Sequence, residues 1–551
     1  MKGLLISIMM LSTFVGYCLG QNSPNVLFIA VDDMADWVGY LNGHPNVKTP
    51  NIDRLSNTGI AFTNAQCTSP VCGPSRAAIM TGLRPETTGV YHNLGDYRDF
   101  YPEAISLPEY FRKNGYYTAG AGKLVHPYNN VVPEAFDVFG PGVGVVGTPF
   151  TDEELMTENM PREVSFGEGR EPAKLPLNGG LSAIDRPKNR WNTFDWGPLD
   201  ISDDEMPDGQ IANWGVEQLQ KDYDKPFFLG IGFYKPHQPL YAPKKYFDMY
   251  DIDKISLPET IVGDMYDVSE AGRQFAEAAW TAGRHETVIE HNQWKEGVLG
   301  YLATITFVDA MVGKLLDGLE ESRYANNTII VFWSDHGWNL GEKNHWGKFV
   351  PWLESTKVPF IIVPPKNENV YKKGQQRVRS AVNLLDVYPT LLSMCSLPEK
   401  PDLEGNDLTP ILKDTQTKWE KPSISTIGRG TQSIIVDHWH YIHYFDGSEE
   451  LYNMSDDPNE WINLAKDPRY ETLKGELKAY IIEDKGIRQY IRYGDWKAVV
   501  KADGDIMLFD FSDGSGISEQ TDVAAENPEV LKQIERHLSK NKVRDRYLTM
   551  P

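Results

Sequence analysis

The sequence predicts an α/β fold built on a large mixed, mostly parallel β-sheet flanked by helices. Three uninterrupted apolar runs, at 25–31, 226–234 and 328–333, are typical of strands that are covered on both faces. Segments with the apolar spacing of helices lie between them, most clearly over 292–321. Because 551 residues are too many for one ordinary hydrophobic core, we expect a second, smaller domain.

The remaining elements of the large domain, which we expect to span 21–410, follow from caps, turn residues and apolar periodicity. In chain order they are a helix at 49–55, a strand at 59–62, a helix from 106, a strand at 116–121, a helix at 208–219, a strand at 358–363 and a helix at 383–394. Residues 129–204 are rich in Gly, Pro and charge with weak periodicity. We interpret them as an insertion or lid over the site, where substrate specificity usually resides.

Residues 411–551 differ in character and contain a repeat at an offset of 57 residues. Three pairs of positions match: Trp439 with Trp496, Asp446-Gly447 with Asp503-Gly504, and Leu451-Tyr452 with Leu508-Phe509. Each copy has the pattern of a β-hairpin followed by a polar stretch and a helix. We therefore expect one small α+β subdomain with an antiparallel sheet.

The first 20 residues have one basic residue, an apolar stretch and then small residues, which is the pattern of a secretory signal peptide. A lipoprotein signal at Cys18 is the alternative, but Tyr17 stands where such signals have a small residue. No other apolar run approaches the length needed to cross a membrane. The pattern predicts an exported protein, periplasmic or secreted, with no stable membrane insertion.

The composition narrows the choice of partners. A net charge of −23 argues against a nucleic-acid partner, and an enzyme acting on polyanions would have to concentrate its basic residues locally. After removal of the signal peptide the chain has only Cys67, Cys72 and Cys395, too few for a disulfide scaffold. Cys67 and Cys395 could pair, but we expect them to be buried and unpaired.

Polar residues follow directly where predicted strands or turns end. The five places are Asp32-Asp33, Cys72 to Arg76, Lys123 with His126, Lys235 with His237, and Asp335-His336 with Lys348. Because parallel strands end at the same edge of a sheet, we expect these side chains to share one cleft. Each residue alone fits a helix cap, a surface charge or a loop histidine, and it is their joint spacing that indicates a site.

The three carboxylates in this cleft would repel one another without a cation. A hard divalent ion held by Asp32, Asp33, Asp335 and one neighbour is the expected solution, and oxygen ligands favour Ca²⁺, with Mg²⁺ as the alternative. His336 would supply a nitrogen ligand. Cys72 is predicted to precede a helix whose first residue is Pro74, so it lies at a helix N-terminus that favours anions.

These motifs together resemble the type I, formylglycine-dependent sulfatases, and most of all the iduronate-2-sulfatase-like branch with its bacterial polysaccharide sulfatases. The matching stretches are Val31-Asp32-Asp33, Cys72-Gly73-Pro74-Ser75-Arg76, Gly122 to Pro127, Lys235-Pro236-His237, and Ser334 to Trp338 with Lys348. The resemblance implies an alkaline-phosphatase-like sandwich. It also implies that a maturation enzyme oxidises Cys72 to formylglycine, whose hydrate is the nucleophile and a metal ligand.

Roles for the other residues follow from this resemblance. Arg76 and Lys123 would hold the sulfate oxygens with the metal, and Lys348 would lie beside the leaving oxygen. His237 would protonate the departing sugar hydroxyl, and His126 would accept the proton of the second hydrate hydroxyl. We also expect His345, which precedes Lys348, to face substrate.

The expected function is hydrolysis of sulfate esters in a sulfated polysaccharide, on a uronic acid such as iduronate 2-sulfate. Two alternatives stay open at this point. One is a phosphonate or phosphate monoesterase that also uses formylglycine, and the other is a carbohydrate-binding relative without turnover.

Overall fold

An eight-stranded β-sheet organises the large domain in this computed structural model, which describes residues 23–126, 135–186, 188–278, 282–512, 519–540 and 547–550. The predicted signal peptide at 1–20 lies outside the described residues. The strands are β1 (Asn25–Asp32), β2 (Ile60–Phe62), β3 (Tyr117–Gly122), β4 (Val138–Phe139), β5 (Phe227–Pro236), β6 (Thr328–Ser334), β7 (Phe360–Val363) and β8 (Gln376–Val378). Their order across the sheet is β8-β2-β7-β6-β1-β5-β3-β4.

The sheet is mixed and mostly parallel, as predicted. Among the described strands, β7 alone runs against its neighbours, pairing antiparallel with β6 and β2. The central strand β1 pairs in parallel with β6 on one side and β5 on the other, and β3 pairs in parallel with β5. Four parallel strands therefore end side by side at one edge.

The apolar run in β1 is continuous because both faces of the sheet are covered. Leu27, Ile29 and Val31 point into one hydrophobic core, and the alternate residues Val26 and Phe28 point into the other. Successive side chains of a strand face opposite sides, so a strand between two cores has no position for a polar residue until it ends.

Helices cover both faces. They are α1 (Pro50–Thr58), α2 (Cys72–Thr81), α3 (Leu107–Lys113), α4 (Pro207–Leu219), α5 (Trp294–Glu320) and α6 (Val387–Met394). Apolar residues of α4 and α5 belong to the first core, whereas those of α2, α3 and α6 belong to the second. Shorter helices include Pro85–Thr88, Tyr97–Phe100, Asp152–Leu155, Leu181–Asp185, Lys244–Phe247, Glu270–Glu277, His285–Glu290, Leu353–Thr356 and Thr409–Lys413.

The long helix α5 corrects one expectation. By length and composition it is apolar enough to cross a membrane, although the sequence had indicated no such run besides the signal peptide. In the fold, 83% of the most apolar 18-residue stretch of this helix is buried inside the protein. The helix is apolar because it packs within the first core, which is the usual reason in a globular domain.

Residues 135–186 and 188–204, which belong to the predicted insertion or lid, pack against the large domain. Strand β4 extends the main sheet, and the short strand Trp196–Leu199 pairs in parallel with Leu240–Pro243. Phe194 and Trp196 are buried in the first core, so apolar anchors hold this segment against the domain despite its weak periodicity. Two further short strands within it, Arg162–Val164 and Ala173–Leu175, pair with each other.

The C-terminal part contains two four-stranded sheets where one was predicted. The first has strands β9 (Ser423–Thr426), β10 (Gln432–Val436), β11 (Trp439–His443) and β12 (Glu449–Asn453), followed by helix α7 (Glu471–Lys478). The second has β13 (Ile487–Tyr493), β14 (Trp496–Lys501), β15 (Ile506–Asp510) and β16 (Tyr547–Met550), with helix α8 (Pro528–Lys540) preceding β16.

The 57-residue repeat corresponds to the shared part of these sheets. Strands β11 and β12 match β14 and β15, and the glycines of the two turns, Gly447 and Gly504, have φ of 84° and 102°. Only the fourth strand differs. It is β9, antiparallel to β10, in the first sheet, and β16, parallel to β13, in the second.

The three cysteines of the described chain are all buried and none is in a disulfide. Cys67 and Cys395 therefore follow the expected unpaired arrangement.

Candidate active site

The ends of four parallel strands bring the predicted residues together at one edge of the sheet. In register, Val31 lies beside Ser334, Asp32 beside Pro236, and Gly122 beside Gly232. The residues just beyond these positions therefore point into one common space. Asp32, Asp33, Cys72, Arg76, Lys123, Asp335, His336 and Lys348 are each at most 3% exposed.

Helix α2 begins at Cys72, two residues earlier than predicted from Pro74. Val71 is extended at φ −149°, and the Ser75 amide donates to its carbonyl at 3.0 Å, which closes the first turn. Proline is tolerated inside a first turn because amides there have no partner within the helix. The Gly73 amide, one of these, donates to Asn93 Oδ1 at 2.8 Å.

The Cys72 thiol lies at the centre of the cluster. Its sulfur is 2.9 Å from Lys348 Nζ, 3.3 Å from His336 Nε2 and 3.8 Å from Asp33 Oδ1. Burial, reinforced by the charge of Asp32, raises the pKa of the thiol in spite of the nearby lysines. An unmodified Cys72 is therefore a protonated thiol at neutral pH, which is a poor nucleophile.

Arg76 organises the acidic residues. Its Nε donates to Asp335 Oδ2 at 2.8 Å, and Nη2 donates to Asp32 Oδ1 at 3.3 Å. Further donations go to the main-chain oxygens of Lys123 and Val31. A guanidinium has five N–H groups, so this arrangement leaves one for a sulfate oxygen. Arg76 therefore fixes two carboxylates and keeps one N–H for its predicted contact with sulfate.

Two buried lysines pair with carboxylates of the cluster, and one of them, Lys348, also contacts the thiol. Lys123 Nζ pairs with Asp32 Oδ2, and Lys348 Nζ pairs with Asp33 Oδ1 at 2.6 Å. Burial alone would lower the pKa of both ammonium groups, but these carboxylates raise it above the usual lysine value. Both side chains are therefore cationic at neutral pH and can bind an anion placed against Cys72.

Asp33 is held in an unusual conformation by its neighbours. Its φ of 59° lies in the left-handed region, which costs a non-glycine residue about 1 kcal/mol or more. The Asp33 amide donates to Asp335 Oδ1 at 3.1 Å, and Tyr301 donates to the Asp33 carbonyl at 2.6 Å. Burial raises the pKa of the Asp33 carboxyl to about 8, with Asp32 and Cys72 adding to the shift against Lys348.

The donor set fits a divalent cation. Asp33 Oδ2 is buried without a hydrogen-bond partner among the described residues, which is expensive unless a ligand uses it. Ligand atoms of Asp32, Cys72, Asp335 and His336 all lie within 4.8 Å of one another. The charges of Arg76, Lys123 and Lys348 already balance the three carboxylates, so charge alone does not require a metal. Bound sulfate would engage those bases, and the carboxylates would then need a cation.

Two histidines direct Nε2 into the cluster. His336 Nδ1 lies 3.0 Å from the Gly337 carbonyl, and His237 Nδ1 lies 2.5 Å from the Gln238 carbonyl. In a neutral ring Nδ1 then carries the hydrogen, so Nε2 presents its lone pair. His237 Nε2 is 3.8 Å from Asp33 Oδ2, and this side chain keeps 16% exposure.

The other two predicted histidines differ in placement. His126 is half-buried, and burial together with the Lys123 charge holds its pKa well below the usual histidine value, so it is a neutral base. In His345, Nδ1 is 2.8 Å from the Ala276 carbonyl and Nε2 is 3.0 Å from the Lys348 carbonyl. Both nitrogens of His345 face the main chain, so this placement gives its predicted contact with substrate no support.

Sequence reasoning missed several residues that shape the site. Tyr301 of α5 holds the turn at Asp33, and Ser75 Oγ donates to the Asp335 carbonyl at 2.6 Å. Aromatic rings lie under the ammonium groups, Tyr234 at 4.6 Å from Lys123 Nζ and Trp338 at 5.4 Å from Lys348 Nζ. Only their closeness to the motifs could have indicated these roles, because tyrosines and tryptophans are common in cores.

Comparisons with known proteins agree with this geometry. Residues 24–396 match the family described as sulfatase, and residues 341–486 match the C-terminal domain of N-sulphoglucosamine sulphohydrolase. A sulfatase of Formosa agariphila is 38% identical over 467 residues, covering 84% of this chain and 86% of that protein. An iduronate 2-sulfatase of Mus musculus is 28% identical over 510 residues, covering 78% and 87%.

Solved structures share the fold. The structure of BT4656 with its substrate D-glucosamine-2-N,6-O-disulfate has a TM-score of 0.62 at 20% identity, covering 83% of this chain and 96% of that one. The phosphonate monoester hydrolase of Agrobacterium radiobacter also has a TM-score of 0.62 at 20% identity, covering 83% and 94%. With a family match over most of its length and a 38% identical relative, this chain belongs to the sulfatase family, the hydrolases of sulfuric esters.

Proposed function

We propose that the protein is an exported sulfatase that removes ester sulfate from a uronic acid, such as iduronate 2-sulfate, in a sulfated polysaccharide or its oligosaccharides. The observation that carries this proposal is the arrangement around Cys72. Residue 72, at the N-terminus of a buried helix, contacts the cationic Lys348 and lies close to the Lys123–Asp32 pair, within a set of carboxylate and histidine side chains that fits a hard cation. The relatives named for iduronate 2-sulfate and for sulfated glucosamine support the carbohydrate class.

The nucleophile in this proposal is the hydrate of formylglycine, produced from Cys72 by a maturation enzyme. Ca²⁺, or Mg²⁺ in its place, would be held by Asp32, Asp33, Asp335, His336 and residue 72, and would supply charge stabilisation for the attacking and sulfate oxygens. The oxygen-rich donor set favours Ca²⁺.

The chain's own residues would bind and orient the ester. Lys348 contacts residue 72 directly, and Lys123 pairs with Asp32, whose ligand oxygen lies within 4.8 Å of the Cys72 sulfur, so a sulfate placed against residue 72 would meet both ammonium groups. Preorganised cations of this kind stabilise charge that develops on a sulfate in the transition state. Arg76 keeps Asp32 and Asp335 in place while the lysines engage the anion.

His237 is the proposed acid for the departing sugar hydroxyl. Burial and the charge of Lys348 lower its pKa in the substrate-free protein, which disfavours the protonated form. The negative charge of a bound sulfate ester acts in the opposite direction and favours the protonated form. His126, neutral and near Lys123, would accept a proton from the second hydroxyl of residue 72 when sulfate leaves.

Mass spectrometry of the peptide spanning 67–84, from protein made in its native host, tests the nucleophile. Detection of formylglycine at position 72 is the expected result. Finding only unmodified cysteine would favour the alternative of a carbohydrate-binding relative without turnover, since a thiol has no second hydroxyl with which to release sulfate.

Parallel assays separate the remaining alternatives. We expect turnover of 4-nitrophenyl sulfate to exceed that of 4-nitrophenyl phosphate and of an aryl phosphonate. The phosphonate monoester hydrolase fold makes the second activity a real competitor. A panel of sulfated disaccharides with and without the uronic carboxylate then tests the sugar class, and preference for a neutral sugar would reject the uronic acid. Detection of the mature protein outside the cytoplasm tests export.

A further inference from the structure

The turn that carries His237 is braced by a buried lysine that the mechanism above does not use. Lys235, the last residue but one of β5, is fully buried. Its ammonium group donates to the main-chain oxygen of His237 at 3.1 Å and to that of Pro239 at 2.6 Å. The sequence had grouped Lys235 with the basic residues of the cleft, but its side chain points back at the turn that follows it.

Asp208 holds the same segment from the other side. This carboxylate lies in the first turn of α4 and is 1% exposed. Its Oδ1 accepts from the Tyr234 amide and its Oδ2 from the Lys235 amide, each at 2.8 Å. The buried Asp208 thus holds the amides before the turn, and the buried Lys235 holds the carbonyls within and after it.

The direction of the His237 ring depends on this turn. The ring is fixed by its contact with the Gln238 carbonyl and by packing against the Tyr234 ring, with centroids 4.7 Å apart. Both contacts are made within the segment that Lys235 and Asp208 hold. A misplacement of about 1 Å in a reacting group can lower the rate on the order of 10²-fold. The rate of proton transfer from His237 should therefore depend on how firmly this turn is held.

We propose that Lys235 is a positioning residue for proton delivery, which with Asp208 holds the 235–239 turn so that His237 Nε2 meets the leaving oxygen. This inference rests on the proposed function, in which His237 is the acid. It predicts a specific signature. Protonation matters most for a basic leaving group such as a sugar alkoxide and little for 4-nitrophenolate, so loss of Lys235 should depend on the leaving group.

The test uses Lys235→Met, which keeps the length of the side chain and removes its donors. We expect kcat/KM to fall about 100-fold for a sugar sulfate but less than about 5-fold for 4-nitrophenyl sulfate, with phenyl sulfate between them. His237→Ala should show the same order of losses. The double variant should be no slower than His237→Ala alone, because a positioning residue has no effect once its target is gone.

A matched control is Lys497→Met in the second C-terminal sheet. Lys497 is also buried, and its ammonium group bonds Glu519 and the Arg429 carbonyl. We expect this variant to lower the thermal midpoint while keeping the wild-type order of kcat/KM values across the leaving groups. This control separates the loss of stability caused by removing a buried charge from the loss of rate caused by a misplaced catalytic acid.

Equal losses for all leaving groups in Lys235→Met, or losses that multiply with those of His237→Ala, would overturn the proposal in favour of a general structural or sulfate-binding role. If Lys235→Met does not fold, Asp208→Asn carries the same test through the amides of 234 and 235. A wild-type protein that is inactive on every sulfate ester would reject the proposed function and this inference together. An active wild type with a flat profile in the variants rejects this inference alone.

Discussion

Two buried carboxylates in this protein differ in whether both of their oxygens accept hydrogen bonds. In the first C-terminal sheet, Glu450 is fully buried and accepts hydrogen bonds from Tyr444, Tyr452 and Trp352 at 2.8 to 3.0 Å, so that both of its oxygens are used. At the edge of the main sheet, Asp33 is equally buried, yet its Oδ2 has no hydrogen-bond partner among the described residues.

The difference indicates which carboxylate is structural and which one binds a ligand. A buried carboxylate with neutral donors on each oxygen stabilises one packing arrangement and has no capacity left for a ligand. A buried carboxylate with an unused oxygen and a strained backbone is costly by itself, and a bound cation would offset part of that cost. Loss of the first carboxylate should cost stability, and loss of the second should cost activity.

The largest effect is expected for the nucleophile. Cys72→Ala should lower kcat for sulfate esters by at least about 10⁴-fold while leaving the thermal midpoint close to wild type. Cys67→Ala is the matched control, since Cys67 is also buried and lies five residues earlier, with its sulfur 3.8 Å from the Ser355 carbonyl. Substantial turnover by Cys72→Ala would exclude residue 72 as nucleophile.

Removal of the metal should come next. Dialysis against a chelator is expected to reduce kcat about 10³-fold, because the cation supplies several kcal/mol of charge stabilisation, and added Ca²⁺ should restore it. Ca²⁺ at about 100 times its dissociation constant should also stabilise the fold by about 2.7 kcal/mol. Asp33→Ala should abolish this thermal shift, and a full shift in that variant would exclude Asp33 as a ligand.

Loss of a sulfate-binding lysine should have a smaller effect. Lys348→Met is expected to lower kcat/KM about 10² to 10³-fold, since it removes one preorganised cation beside residue 72. Lys343→Met is its control, because Lys343 is as buried as Lys348 but pairs with Asp264 at 2.7 Å instead of facing Cys72. The control should lose stability and keep its rate per folded molecule. Equal rates in the two variants would contradict the assignment of Lys348.

The smallest effect on activity is expected at Glu450. Glu450→Gln should lower the thermal midpoint by a few degrees, because an amide turned towards three donors leaves at least one of them unpaired at a cost of about 1 to 3 kcal/mol. Activity per folded molecule should stay unchanged. The neighbouring Glu449→Gln, which loses partly exposed pairs with Lys474 and Lys478, should cost only about 0 to 1 kcal/mol. A lower thermal midpoint for Glu449→Gln than for Glu450→Gln would contradict the structural role assigned to Glu450.

Much of the site was predictable because strand ends are visible in the sequence. The apolar runs ending at Asp32, Lys235 and Ser334 indicate where strands leave the cores, and parallel pairing then brings these ends together. The contacts that a side chain makes at such an end depend on residues far away in the sequence. No local sequence pattern indicates that both nitrogens of His345 face main-chain carbonyls, or that Lys235 points back at the turn that follows it.

Contacts between distant parts of the chain also explain why only part of the C-terminal sheets could be predicted. Hairpins are local, so the 57-residue offset predicts them correctly. The fourth strand of each sheet comes from a different part of the chain and runs in a different direction, and no local spacing can indicate that pairing. The packing of 135–186 and 188–204 could not be predicted for a related reason, since a few apolar anchors such as Trp196 secure this segment despite its weak periodicity.

The depth of Cys72 has a consequence for biogenesis. Cys72 is 1% exposed, and every residue of α2 is buried. The folded protein therefore exposes no extended peptide around position 72 that another enzyme could bind. The maturation that we propose, oxidation of Cys72 to formylglycine, would therefore have to precede folding of the domain. The order of events would then be chemical maturation on the nascent chain, collapse of the two cores, and ion capture last. On this proposal, a chain that folds with an unmodified Cys72 would remain inactive, because its thiol would no longer be accessible to the maturation enzyme.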